Sequence, residues 1–321
     1  MKRKNVLLAT IMTVLSLTTL LGCGETTKTW TVTCPWAPSG VAAMVNDKTA
    51  ELSTKHSKNI ILESTAVKGD AATVNTWVSS TAAEDPELVF AGEGLFAITN
   101  VLDPSKLEFT YDDFTFVENL YSSIFVMSAD ASLGINSIDS LKAYMEAGNN
   151  VTVATNGATS SEAFLAAALF GDMGFGSQME IVPYASAAEA ADAVSRGEAN
   201  FAVSHQSQIL DTYNAGGVSM VCAFDKEDIA KGPFAGVEGV GKHGYPYFRN
   251  RCFIMARNGA SDKDVTALKT LYGTILADTE VSDWLANEML LEVDTMTEAD
   301  VQSHIDNVTN IVNEYKDVLV K

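Results

Sequence analysis

From residue 30 almost to the end of the chain, short apolar runs alternate with stretches of helical spacing, and that alternation leaves few folds open. Runs at 30–34, 59–63 and 87–91 are separated by two helical patterns. The first carries Ala42, Val45, Thr49 and Leu52, the second Ala71, Val74, Trp77 and Val78. A further helical pattern spans 95–102. Strand, helix, strand, helix in strict succession is the grammar of a parallel sheet with helices on its faces. The rhythm breaks at 114–130, an apolar stretch without helical period, which predicts a strand pair crossing into a second lobe. The grammar then resumes, with strands expected at 151–155, 179–183, 199–203 and 218–224. Helices are expected between them, one starting at Ser137 and one carrying Ala163, Phe164, Ala167 and Phe170. A glycine-rich loop at 232–247 and a strand at 251–256 read as the return crossing. Three helices close the chain, the last opened by Thr297-Glu298-Ala299-Asp300 in the manner of a capping box. The expectation is an α/β chain of two lobes, residues 30–125 with 225–321 and residues 126–224. Each lobe is a mostly parallel sheet flanked by helices, and two crossing strands form the hinge.

The N-terminus belongs to neither lobe. Lys2, Arg3 and Lys4 precede an apolar run at 6–21, too short and wrongly flanked for a permanent membrane span. Leu20-Leu21-Gly22-Cys23 follows where a cleavage site is expected, and it resembles the signal of a bacterial lipoprotein. That likeness implies removal of residues 1–22, a lipid on Cys23 and a short polar tether at 23–29. The protein is then extracytoplasmic and held at the membrane through that lipid. The alternative is a plain secretory peptide with an incidental cysteine. Removing the signal leaves 18 basic against 41 acidic side chains, a formal charge of −23. Such a charge repels a phosphate backbone and excludes nucleic acid as a partner. It also means that an anionic ligand must be captured by local donors rather than drawn in from a distance. Cys34, Cys222 and Cys252 remain, in apolar runs that suit small buried side chains. A Cys222–Cys252 bridge stays open as an alternative.

In an open α/β sheet, ligands bind at the carboxyl ends of the strands, where helices begin. The first such loop, Thr31 to Val41, contains two prolines, a hydroxyl and a glycine. Pro35 and Pro38 stiffen it, and Gly40 lets a ligand approach the backbone. The helix start beyond it offers free N–H groups and the positive end of a dipole, which suits a carboxylate. Candidate ligand contacts in the first lobe are therefore Trp36, Ala37, Pro38, Ser39 and Gly40, with Glu93 and Gly94 after the third strand. In the second lobe they are Thr155, Asn156, Gly157, Thr159 and Ser160, then Tyr184 and Ser186, then Ser204, His205 and Gln206. Trp36 is either a wall of the cleft or a packing residue. His205 donates to a ligand carboxylate or titrates near pH 6–7, or else is a surface histidine. Catalytic patterns are missing: there is no G-x-S-x-G, H-E-x-x-H or Walker loop, and Ser204-His205 are mere sequence neighbours. Neither a cofactor nor a metal is implied.

These strand-end loops resemble those of the extracytoplasmic solute-binding proteins of tripartite tricarboxylate transporters, across roughly residues 30–315. Pro35-Trp36-Ala37-Pro38-Ser39-Gly40 matches the family's first loop, with Ser39 in place of a glycine. Val41-Ala42-Ala43 stands where that family usually carries an acid. Val182-Pro183-Tyr184 matches cleanly, though Ala185-Ser186 replaces the usual Lys-Gly. Thr155 to Ser160, Arg196 to Asn200 and Gly244-Tyr245-Pro246 match more loosely, while the segments 63–70 and 84–87 depart from the pattern. The resemblance implies two α/β lobes that close on a small organic carboxylate, or an amino-acid-like ligand, held by loop N–H groups and hydroxyls without an arginine. It implies a monomer that passes its ligand to membrane permease subunits. The binding protein of an ATP-driven importer is a neighbouring reading, and a membrane-anchored secreted hydrolase a reading from another class.

Overall fold

The computed structural model describes residues 27–319, so the signal segment and Cys23 lie outside the described residues. The chain opens with β1 (Lys28–Cys34), α1 (Val41–His56), β2 (Ile60–Ala66), α2 (Ala71–Ser80) and β3 (Glu87–Ala91). Along β1, Trp30, Val32 and Cys34 are buried and their neighbours are not, the two-residue period of a half-covered strand. Residues 95–102, read from the sequence as one helix, are a π-helical segment, Gly94–Thr99, running into a single turn, α3 (Asn100–Leu102). The Thr99 hydroxyl donates to the Gly94 carbonyl at 2.8 Å, five residues back along this wide turn.

β4 (Phe114–Ser123) ends the first pass, and β5 (Phe125–Asp130) follows after one residue, the buried Ile124. The chain crosses there. The second lobe continues with α4 (Ile138–Glu146), β6 (Val151–Thr155), α5 (Ser161–Asp172), β7 (Met179–Pro183), α6 (Ala187–Ser195), β8 (Phe201–His205), α7 (Gln206–Asn214) and β9 (Val218–Ala223). Residues 224–249, largely irregular, bring the chain back to β10 (Asn250–Arg257), and α8 (Asp262–Ala277), α9 (Thr279–Asn287) and α10 (Glu298–Leu319) complete it.

The two sheets share one plan. Their strand orders are β2-β1-β3-β10-β4 and β7-β6-β8-β5-β9. In each, three strands run parallel, and a strand from across the hinge enters antiparallel in the fourth place. Phe90, Leu88, Val153 and Phe201 are fully buried at the centres of these sheets. The antiparallel strand matters for the site. Its first residues lie beside the last residues of the parallel strands, so both kinds of strand end meet on one edge.

α10 straps the lobes together. Val301, Ile305, Val308 and Val312 form its buried stripe at helical spacing. It packs on the π-helical segment of the first lobe and on α5 of the second. A Cβ on Gly171 would sit 2.7 Å from Val318 Cγ2, so glycine permits the close approach of α5. Tyr315 donates to Asp172 at 2.9 Å. The start of α10 is a reciprocal cap, with Asp300 N–H donating to Thr297 Oγ1 at 3.2 Å and Thr297 N–H to Asp300 Oδ2 at 2.8 Å.

Cys34, Cys222 and Cys252 are all free and buried. The bridge left open between Cys222 and Cys252 is not formed, because β9 and β10 belong to different sheets.

Candidate functional site

A cavity of about 190 Å³ lies between the lobes, along the carboxyl ends of the parallel strands. Five helices, α1, α2, α5, α6 and α7, have their N-cap residue in its wall. α1 begins at Gly40, whose backbone is extended (φ −78°, ψ 155°) and which supplies no capping side chain. α7 begins at His205, also without a side-chain cap. α5 and α6 carry their own serines: Ser160 accepts from Ala163 N–H and Ser186 from Glu189 N–H, both at 3.2 Å. The lobes meet across the cavity, with Lys68 Nζ donating to the Ala185 carbonyl at 3.0 Å and Ser161 Oγ to Glu93 Oε1 at 3.4 Å.

Of the residues proposed from the sequence, Trp36, Ala37, Gly40 and Gly94 line the cavity from the first lobe. Asn156, Gly157, Thr159, Ser160, Ser186 and His205 line it from the second. Trp36 takes both roles foreseen for it, since it walls the cavity and meets Phe90 edge-on at 6.5 Å. The other seven are elsewhere. Pro38 and Ser39 are exposed at the tip of their loop. Thr155 is buried and its hydroxyl donates to the Gly157 carbonyl at 2.9 Å, shaping the loop rather than facing the cavity. Tyr184 packs against the second-lobe core. Ser204 is buried within β8, and Gln206 is buried while Gln208, two residues on, reaches the cavity instead.

Glu93 is fully buried and does not line the cavity. Its carboxylate accepts from Asn250 Nδ2 at 2.7 Å and from Arg251 N–H at 3.0 Å, and His304 Nε2 stands 3.5 Å away. Burial raises its pKa, but His304 and these donors outweigh that and hold it below the usual carboxylate range. Glu93 thus ties β3 to the start of β10 and to α10.

His205 corrects a second expectation. It is half-buried in the cavity wall rather than on the open surface, and burial pushes its imidazole down to about 4 instead of leaving it near neutrality. Its ring packs on Phe125 at 4.6 Å and Nδ1 shares a 2.8 Å hydrogen bond with Ser123 Oγ. Ser123 is itself buried and away from the cavity.

The sequence reading missed Tyr121, Phe125, Asn250, Arg251 and Cys252, which line the same space. The signal was topological. Residues opening an antiparallel strand reach the same edge as residues ending a parallel one. Arg251 is committed elsewhere: its Nη1 bonds Asp294 Oδ2 at 2.6 Å, while its buried Nε has no partner. Asp70 and Glu162 were missed as well. Asp70 takes φ +45°, a conformation rare outside glycine. Glu162, 5% exposed in the first turn of α5, has its carboxyl pushed up to about 7 by burial.

No protein-family model matches this sequence, and no curated protein matches it. Solved structures do. Rpa4515 of Rhodopseudomonas palustris, solved with adipate, superposes with a TM-score of 0.79 at 16% identity, covering 91% of this chain and 97% of that one. MatC (Rpa3494) from the same organism, solved with bound malate, gives 0.74 at 20% identity over 91% and 98%. A TctC solute-binding protein from Polaromonas, without ligand, gives 0.70 at 15% over 91% and 98%. The chain therefore has the two-lobed fold of these proteins.

Proposed function

We propose that this chain is an extracytoplasmic solute receptor of the tripartite tricarboxylate transporter kind. It closes two lobes on a small organic carboxylate and delivers it to membrane permease subunits. The observation that carries this reading is the meeting of uncapped helix N-termini in a cavity where the one lining arginine is already bound to Asp294. Dipoles and N–H groups are then the grip, each charge-assisted hydrogen bond contributing about 1.5–3 kcal/mol. The related fold of proteins solved with malate and adipate supports the same ligand class. It also favours binding over catalysis. The Ser123–His205 pair gives a hydrolase no foothold, because Ser123 is 2% exposed and does not line the cavity. The lipid on Cys23 would keep the receptor beside its permease.

Thermal shift of residues 24–321 against mono-, di- and tricarboxylates tests the reading. A ligand at 100 times its Kd stabilises the native state by about 2.7 kcal/mol. Thr159→Trp, which fills the cavity from the second lobe, is expected to abolish that shift; a retained shift moves the ligand out of this cleft. In cells, Cys23→Ser is expected to move the protein from the membrane to the soluble fraction, and membrane retention refutes the lipid anchor.

A further inference from the structure

Parallel strands are ordinarily covered on both faces. In the first lobe one face of β1 is not. Trp30, Val32 and Cys34 share a core with α1, while Thr31 and Thr33 on the opposite face stay half-buried and Thr29 exposed. α2 joins β2 to β3, but its buried side chains, Val74, Trp77 and Val78, enter the core that holds Val89 and Ala91. Thr33 is left in the wall of a cavity of about 620 Å³, enclosed by α2, the turn at 67–69 and the segment 80–87. Ligand sites for small molecules commonly measure about 300–1,000 Å³. Among the described residues this groove shares no lining side chain with the cleft between the lobes.

The hydroxyls around the groove are already used as donors. Thr73 donates to the Val67 carbonyl at 3.1 Å, Thr76 to the Ala72 carbonyl at 2.9 Å and Ser80 to the Thr76 carbonyl at 2.8 Å. Their lone pairs remain free to accept. Asp85 and Glu87 add carboxylate acceptors. The Ala82 N–H engages Asp85 at 2.8 Å, and burial pushes the Glu87 carboxyl up. The one cation among the described lining residues, Lys68, reaches across to the second lobe and donates to the Ala185 carbonyl at 3.0 Å. The Trp77 indole N–H, in the same wall, is buried without a partner among the described residues. An anion therefore finds no free counter-charge here, and a hydrocarbon would leave the acceptors unpaired. A compact carbon ring carrying several O–H donors suits both the hydroxyls and the apolar surface of Val67 and Pro86.

We propose that this groove is a second binding site, separate from the cleft, for a neutral polyhydroxylated molecule of the sugar or cyclic-polyol class. The ligand hydroxyls donate to the Thr73, Thr76 and Ser80 oxygens on α2 and to the Asp85 and Glu87 carboxylates opposite. The site goes beyond the carboxylate-receptor reading and does not depend on it.

The test is saturation-transfer NMR of residues 24–321 with D-glucose, D-galactose, N-acetyl-D-glucosamine, myo-inositol and cellobiose. At least one is expected to bind with a Kd of about 1 mM or tighter. Ala72→Trp and Thr76→Trp, at exposed positions of α2 in the groove wall, are each expected to abolish the transfer. Glu87→Gln, which loses a charge-assisted acceptor, is expected to weaken binding about tenfold. Thr159→Trp, which fills the cleft instead, is expected to leave it unchanged. Circular dichroism checks that the variants fold. Transfer that survives both groove variants and is lost in Thr159→Trp puts the sugar in the cleft and overturns the inference. Silence from the whole panel overturns it as well. So does putrescine binding that Ala72→Trp abolishes while no sugar binds, since the carboxylates alone would then define the groove. Each of these results leaves the carboxylate reading of the cleft standing, because none of the probes is a carboxylate.

Discussion

The two lobes offer the cleft different kinds of helix start. In the second lobe, Ser160 and Ser186 fold back on their own helices and occupy N–H groups that a ligand would otherwise find free. In the first lobe, α1 begins at a glycine with no side chain to spend, so its first N–H groups stay open beside the cavity. The second lobe thus caps two of its three cleft-facing helices itself and leaves only α7, at His205, without a side-chain cap. The second lobe contributes shape and hydroxyls. The first contributes the start of α1, where no side chain at all stands at the cap, and the ligand carboxylate is expected on that side.

The largest effect expected from this contrast comes from closing the open end. Gly40→Asp would cap α1 with its own carboxylate. The extended backbone at Gly40 accepts a side chain, although the new Cβ would lie 3.1 Å from the Ala37 carbonyl. An internal carboxylate would take the N–H groups and repel a second one. Losing two charge-assisted hydrogen bonds costs about 3–6 kcal/mol, so affinity for any carboxylate hit is expected to fall about a hundredfold or more. Titration of the variant reads this directly. Affinity within threefold of the parent would place the ligand away from α1.

A second effect, read by pH, lies within the second lobe. The Glu162 carboxyl, on the second lobe, is raised in the folded chain to about 7 from its ordinary 4.5. An acid with a raised native pKa contributes stability that is full below its unfolded pKa and lost as pH rises through the native one. Above pH 7 the ligand-free protein carries a penalty of up to about 3 kcal/mol from this group. Glu162→Gln is therefore expected to melt higher than the parent at pH 8 and level with it at pH 4.5. His205 works in the opposite direction, since its pKa is lowered to about 4 and its stability is lost as pH falls from about 6.5 toward 4. Melting curves of parent and variant across pH 4.5–8 cancel the histidine and leave the glutamate. A constant difference at all pH values would mean that Glu162 is not raised in the folded chain.

The strand–helix rhythm made the lobes legible, because a two-residue period at Trp30, Val32 and Cys34 and the helical stripe at Val301, Ile305, Val308 and Val312 survive any tertiary context. It failed at Leu95, Phe96, Ala97 and Ile98, where four buried residues in a row erase the period and a π-helical segment forms. Of the residues expected after parallel strands, Trp36, Ala37 and Gly40 and Asn156, Gly157, Thr159 and Ser160 do line the cavity, while Pro38 and Ser39 in the first of these loops do not. It was illegible at Asn250, Arg251 and Cys252, because their place depends on which way β10 runs in a sheet assembled from residues over 150 positions apart. Glu93 shows the converse error. Its position at a strand end suggested a ligand contact, but two donors from β10, invisible in the local sequence, claim its carboxylate.

The smallest expected effect tests the contrast between the helix starts from the other side. Ser160→Gly removes the cap on α5 and frees the Ala163 N–H that the serine now engages. Glycine is a tolerable N-cap, so the stability cost is expected to be a few tenths of a kcal/mol. If the carboxylate sits at α1, one freed N–H on the opposite lobe adds little, and affinity is expected to stay within about threefold of the parent. A gain of tenfold or more would show that α5 binds the carboxylate once its own serine steps aside. The capped α5 would then be a tuned-down anion site, held in check by the Ser160 hydroxyl.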